Sequence, residues 1–148
     1  MGTTRRTPTE VGIEDVNLKV TTDNNGNNLD VRKAFAWTAI VDITETGSPT
    51  TGAADLIVDI MESVDSSTET TSHTIASGID IQTNGEKATI VWGHGVVAAA
   101  IGTGTQPTIS TTPDVVANAD FIRLNLKAST ANDGTTCTGS VTLLIEEA

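Results

Sequence analysis

Cysteine occurs once in these 148 residues, histidine twice and tyrosine not at all, and the aromatic set is two Trp and two Phe. Cys137 cannot form an internal disulfide, and with only His73 and His94 beside it the sequence excludes a structural zinc cluster. Phe35, Trp37, Trp92 and Phe121 are too few for the stacking platform of a carbohydrate-binding module, and both Trp residues fall in the inward phase of their strands. Positive charge is scarce as well. Eight Lys and Arg against 19 Asp and Glu leave a net charge of −11, which opposes the phosphate-neutralising surface that nucleic-acid binding requires. The longest apolar run, Val96 to Ile101, is far below the roughly 20 residues that span a bilayer, and Met1 to Pro8 has no apolar signal-type core. The expectation is a chain with neither nucleic-acid nor membrane partner.

Catalytic patterns are missing too. There is no G-x-S-x-G elbow, P-loop or H-E-x-x-H pair. Glu14-Asp15 and Glu146-Glu147 are strand neighbours whose side chains point to opposite faces and cannot share a proton. His94, in Trp92-Gly-His-Gly95, has no placed partner, and Cys137 has no basic neighbour to activate it, so it takes an apolar role at a strand edge. Asp23-Asn-Asn-Gly-Asn-Asn-Leu-Asp30 offers oxygens at calcium-loop spacing. Its Gly stands at the fourth position rather than the sixth and no bidentate Glu closes it, so a polar turn is the simpler expectation beside a cation site. No enzyme activity, cofactor or metal is expected.

What the sequence does contain is threonine, 27 residues of it, with 13 Gly. Thr is β-branched and suits a half-exposed sheet face better than a helix. Hydrophobic residues at 37% and charged residues at 18% describe a folding chain, and this length allows folding to bury roughly 68–70% of the extended surface in one core. Period-two alternation marks the strands. Val16 to Val20 predicts a first short strand, and Thr21 to Asn28 a turn-rich loop. Phe35, Trp37, Ala39, Val41 and Ile43 form one inward row; Leu56, Val58 and Ile60 form another, with Asp55 and Asp59 facing out. Asn84-Gly85 predicts a type I′ hairpin that pairs Ile81 with Ala88 and Ile79 with Ile90. Ile122, Leu124 and Leu126, then Val141, Leu143 and Ile145, predict two closing strands joined by a hairpin loop at Ser129 to Gly134. Gly93 to Asn118 is small and Gly- and Thr-rich, and its length marks a lid, an interface arm or an insertion.

About eight strands in an all-β, two-sheet antiparallel sandwich follow, of the jelly-roll or immunoglobulin-like kind, as one domain over residues 11–148. Residues 1–10 form an extended N-terminal arm with a quarter of the chain's cations, and Arg5, Arg6 and Pro8 are its candidate partner-binding residues. Ordering of this arm on a neighbouring acidic surface is the expectation.

Across residues 33–148 the order of soft motifs resembles the small β-sandwich head proteins of tailed bacteriophages that decorate or cement the capsid. These motifs are Trp37 to Ile43, the Thr46 to Thr50 turn, Leu56-Ile-Val-Asp-Ile-Met-Glu-Ser63 with the Val-Asp-Ser-Ser turn, and Phe121-Ile-Arg-Leu-Asn-Leu126. The resemblance implies a virion protein on the outer capsid surface, made in the host cytoplasm, with the major capsid protein as partner and a homotrimer as the assembled form. The long 93–118 stretch, and Glu69 to Ser72 where that family has an aromatic, depart from the pattern. They keep a tail-tube or head-assembly subunit open, and a carbohydrate-binding β-sandwich is the alternative from another class.

Overall fold

A computed structural model describes residues 5–6, 10–61, 69–81, 87–93, 96–101, 108–109 and 120–147. Eleven strands are present among them: β1 (Arg5–Arg6), β2 (Glu10–Asn17), β3 (Asn25–Asp30), β4 (Ala34–Thr46), β5 (Ala53–Met61), β6 (Glu69–Asp80), β7 (Lys87–Gly93), β8 (Val96–Ile101), β9 (Thr108–Ile109), β10 (Phe121–Thr130) and β11 (Thr136–Glu147). They form two antiparallel sheets. One runs β1-β11-β4-β7-β8 with β2 also on β11, and the other runs β3-β10-β5-β6-β9.

The pairing is concentric: β2 with β11, β3 with β10, β4 with β7 and β5 with β6. Successive pairs fall in alternate sheets, so the chain behaves as one long antiparallel ribbon rolled across both layers. That is a jelly roll, and the immunoglobulin-like alternative does not apply.

The core lies between the sheets. Trp37, Val41, Leu56, Val58, Ile60, Ile79, Ile81, Ile122, Leu124, Leu126, Val141, Leu143 and Ile145 are all buried, as their alternation predicts; the side chain of Ile90 lies outside the described residues. Ile13, Leu18, Leu29, Val31, Ile43 and Ile75 are among the further residues of the layer, and burying each such side chain contributes roughly 1.5–3 kcal/mol.

Four local expectations are corrected by the tertiary pairing. In place of the predicted strand 16–20 stands β2, which shares only Val16 and Asn17 with it, because the Lys19 amide bonds Asn17 Oδ1 at 2.9 Å and turns the chain out of the ladder. The loop predicted at 21–28 gives way to β3 from Asn25, since β10 offers it a ladder that outweighs weak local propensity. Ile79 and Ile81 do not pair with Ile90 and Ala88: β6 lies on β5, whereas Ile90 and Ala88 sit on β4 opposite Ala39 and Val41. Apolar rows that match along a hairpin match equally well across a sandwich, and the register with β4 and β5 decides. The 129–134 connection likewise crosses from one sheet to the other instead of closing a hairpin. Within the 93–118 stretch, β8 extends the six-stranded sheet and β9 extends the other.

Candidate functional site

The connections after β2, β4 and β10 meet at one end of the sandwich with Ile81, the residue that follows β6, and short polar contacts bind them together. Gly47 (φ +94°) and Ser48 (φ +51°) turn the chain after β4, in the left-handed region where Gly is the unstrained residue. Asp133 then clamps that turn from the β10–β11 connection. Its Oδ1 accepts the Thr50 and Thr51 amides at 2.8 and 3.0 Å, and its Oδ2 accepts the Thr50 hydroxyl at 2.7 Å. These donors hold the Asp133 carboxyl down at about 2. Asn132, fully enclosed, donates Nδ2 to the Ile81 carbonyl and accepts the Gly134 amide, both at 2.8 Å. Lys19 Nζ donates to the Gly134 and Thr135 carbonyls, which joins the β2–β3 connection to the group. The result is a rigid end surface bearing exposed Thr46, Thr50, Thr51, Thr135 and Thr136.

A second feature lies on the outer face of the five-stranded sheet. The β10–β5 register sets Arg123 opposite Asp59 and Lys127 opposite Asp55, and the β5–β6 register sets Ser72 beside Asp59. Asp59 faces outward, as its alternation predicts, yet it is only 3% exposed. Arg123 Nε and Nη2 donate to its Oδ2 at 2.9 and 2.6 Å, and the Ser72 hydroxyl donates to its Oδ1 at 2.7 Å. Asp23, Asn25, Ile57 and Asn125 line a depression of about 240 Å³ beside this pair. Lys127 Nζ lies 3.0 Å from Asp23 Oδ1 and lowers the Asp23 pKa through a hydrogen bond and its charge. Every charge named here faces an opposite one, so the site shapes and stiffens a surface, and Ser72 meets a carboxylate already committed to Arg123.

The residues singled out by sequence scatter. Arg5 and Arg6 form β1, paired in register with Glu147 and Glu146 of β11, which sets basic opposite acidic residues at the sheet margin. Pro8 and His94 lie outside the described residues. Asp23 and Asp30 do not converge: Asp30 takes the Arg32 guanidinium at 2.6 Å, with its pKa lowered by that hydrogen bond, while Asp23 faces Lys127. Among the described residues, no group of three or more His, Cys, Asp or Glu is disposed to hold a metal ion, and no helix is long and apolar enough to cross a membrane. Cys137 is buried on β11, an interior strand rather than an edge, because β2 and β4 flank it. Burial first, and the Glu45 charge second, push its thiol up to about 11. His73, opposite Val58, has a buried Nε2 with no hydrogen-bond partner among the described residues. The Asp133 clamp and the Arg123–Asp59 pair escaped sequence reasoning, since each joins residues far apart in the chain whose register only the folded sheets fix.

No protein-family model and no curated protein matches the sequence. Among solved structures, the fold is similar to a chain in the structure of infectious bursal disease virus Gx strain, with a TM-score of 0.55 over 99% of this chain at 9% identity. A chain in the crystal structure of the infectious bursal disease virus VP2 subviral particle is also similar, with a TM-score of 0.48 over 97% of this chain at 11% identity. This chain spans 33% and 32% of those chains, about a third of each. The likeness to the first is one of fold, and it runs the whole length of the rolled ribbon.

Proposed function

We propose that this chain is a structural protein of a virus particle that binds the outer surface of the capsid shell and stabilises it, without turning over a substrate. The observation that carries this reading is the jelly roll shared over 99% of the chain with a chain of a virus structure. Three further features support it. A net charge of −11 keeps an outer protein away from packaged nucleic acid. The loop end clamped by Asp133 and Asn132 offers a preorganised contact surface at little ordering cost. Decoration of a tailed-phage head by a homotrimer rests on the motif resemblance over residues 33–148.

The test is co-sedimentation of the full chain with empty capsids of the virus that encodes it. Saturable binding at a fixed ratio to the major capsid protein, with a raised shell melting temperature and a trimer mass by light scattering, is the expected result. Binding to tails instead overturns it in favour of a tail component, and selective glycan-array binding without capsid binding overturns it in favour of a carbohydrate-binding module.

A further inference from the structure

A sheet edge presents unpaired N–H and C=O groups, and folded proteins blunt such edges with charge, proline, bulges or brevity. Three of the edge strands here follow that rule. β2 carries Glu10, Glu14 and Asp15 and has two register shifts against β11; β3 carries Asp30 and a shift against β10; β9 has two residues. The β8 edge departs from it. Val96-Val-Ala-Ala-Ala-Ile101 runs in unbroken register along β7 for six pairs, with no charge, proline or bulge, and among the described residues no strand lies on its other side.

Beside this edge two rows of the six-stranded sheet carry no charge, and the rows flanking them bring in Glu146 and the Asp42–Lys87 pair. The registers align Leu144, Thr38, Val91 and Ala98 in one of these rows, and Thr142, Ile40, Thr89 and Ala100 in the other. The outward rows of the other sheet, by contrast, carry Arg123, Asp59, Lys127 and Asp55.

From these two observations we infer that β8 pairs antiparallel with β8 of a second copy, continuing the six-stranded sheet across a two-fold axis. Two chains of net charge −11 repel, so they meet at least cost where neither presents charge. The segment is also self-complementary. A two-fold axis normal to the sheet at Ala98 keeps each residue on its own face and sets Ala98 opposite Ala98, Val97 opposite Ala99 and Val96 opposite Ala100, so small and β-branched residues meet throughout. Strand addition of this kind gains its affinity from main-chain hydrogen bonds. This contact is independent of the virus reading and of any three-fold association: a monomer becomes a dimer, and a trimer a pair of trimers.

The experiment is sedimentation equilibrium of the full chain over a wide concentration range, with Ala98→Glu and Ala98→Lys variants whose unchanged melting temperatures verify folding. A reversible doubling of mass is expected. Each variant alone sets like charges opposite one another and is expected to raise Kd about tenfold or more, whereas an equal mixture of the two returns to within about threefold of the wild type. Weakening by Ala98→Glu alone would mean that net charge, not this contact, governs association, and overturns the proposal. Hydrogen exchange on the unmodified chain gives a second readout: protection of the Val96–Ile101 amides rises with concentration. No mass doubling at millimolar concentration, or β8 amides fully protected at the lowest concentration, overturns it.

Discussion

Asp133 is solvent-facing, yet three donors from the β4–β5 turn fix its carboxylate and depress its pKa from 3.8 to about 2. The native carboxylate thus holds its proton less tightly than the unfolded one. Its contribution to stability is complete above the unfolded value and disappears as pH falls from about 4 through about 2. Asp133→Asn is expected to lower the melting temperature at neutral pH, with the difference closing near pH 2 in a series of thermal melts. Cys137 carries the opposite shift. A rise from 9.0 to about 11 lowers the thiolate fraction near neutral pH about 100-fold, so maleimide labelling of the native chain is expected to be at least that much slower than labelling in denaturant. Arg123 matters for what it leaves behind. Arg123→Met strands the 3%-exposed Asp59 and is expected to cost about 3 kcal/mol in urea unfolding, much of it recovered when Asp59→Leu is added.

Among the elements, β2 and β3 come close together where two glycines meet. A Cβ on Gly26 would stand 1.9 Å from the Gly12 carbonyl oxygen, and the obstacle is backbone, which cannot rotate away. Gly26→Ala is therefore expected to push the two edge strands apart, with a loss of about 1–3 kcal/mol and faster hydrogen exchange confined to Glu10–Asn17 and Asn25–Asp30. The contrast with Gly139 supports this assignment. A Cβ there would meet the side-chain ends of Leu126, Leu18 and Ile43, which can shift rotamer.

For the molecule as a whole, the rolled ribbon makes the last strand structural and the first residues peripheral. β11 is interior, flanked by β4 over its full length and by β2 and β1 on the other side. Removing residues 136–148 is expected to abolish cooperative unfolding by circular dichroism. Among the described residues, removing residues 1–9 takes away the Arg5–Arg6 pairing, and is expected to shift the melting temperature slightly while weakening attachment to a partner.

Composition and alternation by themselves determined the all-β class and the inward rows, because period two assigns a face to each residue without reference to any other strand. Trp37 to Ile43, Leu56 to Ile60, Ile122 to Leu126 and Val141 to Ile145 needed nothing further. Which strand sits beside which was decided only in three dimensions. Ile79 and Ile81 could satisfy an apolar partner along the Asn84-Gly85 turn or across the core, and local sequence does not separate the two; the ladders offered by β5 and β4 do. The same holds for Asn25–Asp30, which is polar enough to be a loop and becomes a strand because β10 pairs with it. The Asp133 clamp, the Arg123–Asp59 pair and the charge-free edge at β8 all depend on register between distant segments. That information arises from the pairing of whole sheets, where one residue of slip exchanges every inward side chain for an outward one.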